Sequence, residues 1–283
     1  MDFEQWDTKQ RIEQQYERAI NRLVSKIWEL INIDPDNADP YEISRRIARL
    51  VRSKAYAEYA KAAASQMIMG VFADNGRTWR QAARANMRGA MVQRSLQRPF
   101  DTILAAALQA QIDRNVTIIK TLPQDIAADV VEYIRQQSMS GRRAGGLAPE
   151  IMAKFPEETS ARAALIARTE TSKTTTAITR SRAENLGINW YVWRTSDDGR
   201  VRSSHAHMDG VLVSWTDPPS PELLIGEKSY GHYHAGEIFN CRCYPEPVIR
   251  LELINWPCDV YRFGRIEKNM SRAEFERIWG GAA

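Results

Sequence analysis

Cysteine and histidine are both scarce in this chain: three cysteines and four histidines in 283 residues. So few cysteines exclude a disulfide scaffold and fit a reducing compartment. Long apolar runs are missing too. All are short, as in VLV at 211–213, far below the roughly 20 residues that span a bilayer. No membrane-spanning segment is expected. The N-terminus, MDFEQWDTKQ, is acidic and polar, so it does not read as a secretory signal and synthesis in a cytoplasm is the plain expectation. No internal repeat is visible. Hydrophobic residues at 43% and charged residues at 26% place most of the chain in the globular class.

Charge is unevenly placed. The net formal charge is +4. Between residues 77 and 98, however, there are six arginines (Arg77, Arg80, Arg84, Arg88, Arg94 and Arg98) and no acid. The first four recur at helical spacing and would form one stripe. Such a stripe suits phosphate or an acidic protein face; a plain solvated face is the competing reading, weakened by the absence of acids.

Hydrophobic spacing predicts an amphipathic helix over 9–31, with Ile12, Tyr16, Ile20, Leu23, Ile27 and Leu30 on one face. DPDNADP at 34–40 breaks it. Further helices are expected over 41–73, 78–97, 101–121 and 122–137, the last opened by Pro123. A loop follows to residue 150. A long helix then starts at a Thr159 or Ser160 cap and ends at Gly187, with a small-residue face at 164, 167, 171 and 175. After it the composition shifts to strands, expected at 188–195, 211–215 and 248–254, with 216–247 read as loop. Ser271 and Glu274 form a capping box for a last helix. The fold class is therefore α+β: a mostly helical N-terminal region, then a small mixed helix/β C-terminal module. The expected divisions are 1–120, 121–250 and 251–283.

All four histidines and two cysteines fall between residues 205 and 243. His205, His207, His232, His234, Asp209, Cys241 and Cys243 are of types that ligate zinc. In an extended strand, each HxH or CxC pair shares a face. The spacing matches no well-known zinc pattern, and hydrogen-bonding loop histidines would explain it as well. Asp209 before Gly210 also reads as a turn. A Cys241–Cys243 disulfide would be strained. Catalysis through a metal-activated water or a cysteine nucleophile lacks a supporting constellation.

Three ordered pieces carry a resemblance. ARTET (167–171), NWYVWRTSDDGRVRSSHAHMDG (189–210) and AGEIFNCRCYPEPV (235–248) resemble the phage Mu F-like minor head protein, or head morphogenesis, family. The matching positions are Arg168, Thr169, Glu170, Trp193, Arg202, His205, Asp209, Gly210, Asn240, Cys241 and Cys243. The resemblance implies a non-enzymatic structural role in the virion interior, in low copy, with portal protein and capsid or scaffold as partners, and packaged DNA as a further contact. It narrows a structural zinc site to His205, Cys241 and Cys243, with Asp209, His232 or His234 as fourth ligand. The helical N-terminal region would supply the portal contact. A zinc-dependent hydrolase or nuclease, and a free-standing DNA-binding protein, are the alternatives.

Overall fold

The computed structural model describes residues 6–31, 39–84, 102–142, 144–196 and 199–279. Arg88, Arg94 and Arg98, and the turn expected at 34–40 up to residue 38, lie outside them. The chain is α+β: long helices come first and a small mixed sheet follows. It forms two compact units, each discontinuous in sequence. A helical unit comprises residues 10–69 and 110–167; a sheet-bearing unit comprises 1–9, 70–109 and 168–283.

The helical unit is built on periodicity. Helix α1 (Gln10–Ile31) buries Ile12, Tyr16, Ile20, Leu23, Ile27 and Ile31 along one face. The helix expected over 41–73 is two helices, α2 (Pro40–Arg52) and α3 (Lys54–Arg84). Ser53 between them is extended, and its Oγ accepts the Tyr56 N–H at 3.2 Å, which caps the start of α3. Gly76 therefore lies inside α3 and does not open a new helix.

The helices expected at 101–121 and 122–137 are one, α4 (Thr102–Met139), which runs through Pro123. A proline at that position cannot donate to the carbonyl of Ile119 four residues earlier. The Tyr56 hydroxyl donates to that carbonyl instead, so the helix continues without an orphaned acceptor. Helix α5 (Ala148–Asn185) likewise starts before its expected cap and contains Pro156. The loop before it is correspondingly shorter. Thr159 is buried mid-helix, donates to the Phe155 carbonyl and accepts from Trp28 Nε1 at 3.0 Å. Gly187 has φ +70° just past the end of α5, the left-handed stop that its sequence position announced.

In the sheet-bearing unit five strands take the order β3-β1-β2-β4-β5. They are β1 (Trp190–Arg194), β2 (Leu212–Ser214), β3 (Tyr244–Pro247), β4 (Cys258–Arg262) and β5 (Arg265–Met270). Only β2 and β4 pair in parallel. Side chains alternate along β1. Tyr191 and Trp193 join a core with Val213, Trp215, Trp79 and Tyr261, while Trp190 and Val192 face Leu212, Val260 and Phe275. That is the period-2 signature of a sheet packed on both faces.

Residues 248–254 are not a strand but hold a short 3-10 turn at Leu251–Leu253. The strand expected there is replaced by β3, whose sequence YPEP had read as loop. Its two prolines are tolerated because β3 is an edge strand with no neighbour on one side. A one-turn helix α6 (Ser203–Ala206) and the final helix α7 (Arg272–Trp279) complete the fold. The capping box at α7 is present: Ser271 N–H donates to Glu274 Oε2 at 3.0 Å and Glu274 N–H to Ser271 Oγ at 3.3 Å.

Candidate metal centre

The three family-like pieces converge on one point. His205 comes from α6, and Cys241 and Cys243 from the segment leading into β3; all three are buried. Their ligand atoms lie within 4.8 Å of one another. His205 Nδ1 is 3.5 Å from Cys241 Sγ and 3.4 Å from Cys243 Sγ. A tetrahedral zinc with its usual bond lengths sets an N···S separation of about 3.5–3.6 Å. The donor set and its spacing therefore fit such an ion.

The histidine is also held in the ligating tautomer. Tyr233 Oη donates its only proton to buried Glu222, so the 3.0 Å contact between Tyr233 Oη and His205 Nε2 must be donated by the imidazole. That leaves the Nδ1 lone pair facing the two sulfurs. Ser204 Oγ adds a 3.3 Å hydrogen bond to Glu222. A partner that fixes a histidine through its remote nitrogen, here Tyr233 backed by Glu222, is the support that metal sites use. Burial and the bond to Glu222 both push the Tyr233 hydroxyl upward in pKa, keeping it a donor.

The thiols interact strongly. The Cys243 thiol, followed by His205, holds the Cys241 pKa well below its ordinary value against the effect of burial. The bond to Cys241, burial and the charge of Cys241 raise that of Cys243. The two thiols thus shift in opposite directions, each acting on the other. Zinc would demand both as thiolates, so its binding would release protons.

The other expected ligands lie elsewhere. His207 is exposed. His232 is exposed and its Nδ1 contacts the Pro218 carbonyl oxygen at 3.0 Å. His234 is buried, accepts from Arg180 at 3.3 Å and contacts Tyr191 Oη at 3.1 Å. Burial, then the Arg180 charge, lowers its pKa to about 3, so it is a neutral core histidine. Asp209 accepts from the Thr195 N–H at 2.8 Å and from its hydroxyl at 3.1 Å. With Gly210 at φ +79° donating to the Trp193 carbonyl, it forms a turn. Among the described residues no further His, Cys, Asp or Glu joins the three.

The remaining motif residues build the support. Arg168 donates to Asn240 Oδ1 at 2.7 Å, and Thr169 Oγ1 accepts the Asn240 N–H at 2.9 Å. Asn240 itself sits at φ +54°, a conformation asparagine tolerates. Arg202 donates to the Phe239 carbonyl at 3.0 Å and stacks on the Phe239 ring. Glu170 is buried and lies 3.8 Å from Lys173, and Trp193 stands edge-on to His205. Below them the loop presses on α5: the Thr176 hydroxyl donates to the Ala235 carbonyl at 2.7 Å. A Cβ on Gly236 would lie 2.7 Å from Thr176 Oγ1 and 2.8 Å from the Cys243 carbonyl oxygen. Of the small-residue face on α5, Ala167, Thr171 and Thr175 are buried, but Ser172 and Thr176 receive the loop.

Sequence reasoning missed Glu222 and Tyr233, the histidine's support. Both are isolated in a proline- and glycine-rich stretch, and nothing in their spacing ties them to His205. It also missed a pocket of about 80 Å³ beside the cluster, lined by Arg168, Arg200, Arg202 and Arg242 together with His205 and both cysteines. The expected arginine stripe is described only in part. Arg77, Arg80 and Arg84 are exposed on α3, with Arg77 paired to Asp74 at 2.7 Å. Trp79 is fully buried in the core, 5.1 Å edge-on from Trp6.

No helix among the described residues is long and apolar enough to cross a membrane. No solved structure matches the chain. An uncharacterized protein of Haemophilus influenzae is 34% identical over 135 residues, which is 48% of this chain but only 28% of that protein. A family model described as Phage Mu protein F like protein matches residues 128–245, the stretch that carries His205, both cysteines and most of their support. Over those residues the chain is similar to the Phage Mu protein F like family.

Proposed function

We propose that this protein is a phage head morphogenesis protein, a minor component of the virion interior that associates with the portal and inner capsid during head assembly. The observation that supports it is convergence: the residues of three separate family-like stretches meet at one buried His205–Cys241–Cys243 knot. In this reading the knot is structural. A zinc ion held by those three side chains would cross-link α6 to the segment entering β3.

The helical region supplies the portal contact, and the arginines of α3 meet acidic portal surface or DNA phosphate. Substituting Arg80, Arg84 and Arg88 with glutamate is expected to abolish co-purification with assembling heads; incorporation at the normal level would overturn the assignment of that surface. Metal analysis of purified protein should return one zinc per chain. Metal-free protein whose C-terminal unfolding is unaffected by chelators would remove the zinc.

A further inference from the structure

We infer that Arg182 and Arg80, which meet over Gly76, form a binding site for one phosphate group, either free or at the end of a polymer. All three residues lie in the sheet-bearing unit. Arg182 stands in the last turn of α5. Phe72, Gly76 and Arg80 follow one another in four-residue steps along α3 and so share one face. A Cβ on Gly76 would lie 3.4 Å from Arg182 Nη2 and 3.6 Å from Arg80 Nη1. The two guanidinium groups thus converge on the strip of α3 that the glycine leaves bare. A glycine inside a helix costs about 1 kcal/mol against alanine; here it keeps that strip open.

Arg182 is the unusual member. It is 8% exposed, its Nε is buried without a hydrogen-bond partner, and its guanidinium lies 4.7 Å from the Phe72 ring centre. The acids nearest in sequence are committed elsewhere, Asp74 to Arg77 at 2.7 Å and Glu184 to Arg180 at 2.8 Å. Among the described residues no carboxylate pairs with Arg182 or Arg80. Burial, then the charge of Arg80, lowers the Arg182 pKa to about 10, so the group still carries its charge at neutral pH. Stacking on Phe72 and the carbonyl end of α5 offset part of the cost. A buried charge ordinarily has an ionic or hydrogen-bonding partner. The second cation adds repulsion, which an anion between the two would relieve.

The walls are set in advance. Asn75, beside Gly76, donates from Nδ2 to Thr179 Oγ1 at 2.8 Å, one turn before Arg182, which ties α3 to α5 at this level. Prior ordering lowers the entropy cost of binding. A guanidinium is a weakly hydrated fork of five N–H donors. Two such forks from two helices bring two charges and meet acceptor oxygens in different planes. A phosphate monoester or free phosphate is tetrahedral and carries up to two charges; a carboxylate is flat and carries one. A duplex backbone phosphate also carries one and sits between two sugars, which bars it from a cation as buried as Arg182. The inference depends on neither a bound metal nor the head-assembly reading.

The test uses the purified full-length chain, titrated with sodium phosphate at constant ionic strength with chloride as balance. A saturable rise in the unfolding midpoint is expected. Arg182→Met keeps the bulk, removes the charge and should abolish that rise. Arg80→Gln, on an exposed side chain, should weaken phosphate binding about tenfold, as losing a charge-assisted hydrogen bond does; it carries the test should Arg182→Met fail to fold. Arg265→Gln, on the β4–β5 hairpin, should leave binding unchanged. Competition then separates the sources. Displacement of phosphate by a 5′-phosphorylated oligonucleotide assigns a polymer end, and no displacement by it assigns free phosphate. Equal displacement by the unphosphorylated oligonucleotide, an equal rise with acetate, no saturable rise at millimolar phosphate, or an undiminished rise in Arg80→Gln overturns the site.

Discussion

The helical unit and the sheet-bearing unit reach order by different routes. In the first, one residue type in a regular rhythm suffices: Ile12, Tyr16, Ile20, Leu23 and Ile27 repeat every three or four positions and are all buried. Its buried polar groups are fewer, as where the Tyr16 hydroxyl donates to Asn115 Oδ1 at 2.8 Å. In the second, buried polar groups are dense. Thr169, Glu170, Ser172, Thr176, Ser204, His205, Glu222 and His234 are all inside, and each satisfied partner fixes a loop. Apolar burial is non-directional and forgiving; a polar network fails when one partner is lost. The sheet-bearing unit should therefore be the more brittle.

The largest expected contrast follows from the proposed zinc at His205, Cys241 and Cys243. Structural zinc contributes on the order of 10 kcal/mol to small sites. Chelation, or Cys241→Ser, should unfold the sheet-bearing unit and expose Trp193 and Trp215 while most helical circular dichroism persists. A single cooperative loss of both signals would erase the distinction between the units.

Gly236→Ala comes next. Left-handed strain at φ +85° and contacts under 3 Å should cost about 2–4 kcal/mol, read as a fall in the denaturant midpoint. A neutral result would show that the loop is not pinned to α5. In the helical unit, Tyr56→Phe strands the Ile119 carbonyl opposite Pro123 and should cost about 1–3 kcal/mol. Hydrogen exchange should then rise around residue 119 alone; a global effect would contradict a forgiving bundle.

Acid should separate the units most subtly. His234, faced by Arg180, Tyr191 and Glu237, has its pKa depressed to about 3. Its unfolded counterpart takes up a proton below about 6.5 while the folded one does not. Stability is thus lost as pH falls through that window, by up to about 1.4 kcal/mol per unit. Glu132 and Glu150 of the helical unit are held at about 2 by hydrogen bonds led by Arg135 and Arg142. Their contribution is present above about 4.5 and fades only below it. Module-specific fluorescence should move first on acidification, and His234→Gln should abolish that early phase.

Legibility followed how local the determinants are, not the division between the units. Helix α1 and the α7 capping box were readable because their determinants are local. Strand β3 was not, since YPEP becomes a strand only by lying at an edge against β1. The long helices α4 and α5 were misread at Pro123 and Thr159 because Tyr56 and Trp28, remote in sequence, supply the compensating hydrogen bonds.

The sequence by itself determined the α+β class, the gathering of histidine and cysteine into one stretch, and the family that this stretch resembles. The family resemblance already grouped His205, Cys241 and Cys243; only the tertiary structure decided that His232, His234 and Asp209 go elsewhere, and that Glu222 and Tyr233 stand behind the histidine. Ligand sets and pockets are made by contacts between remote residues, and spacing along a chain carries no information about which remote loops will touch.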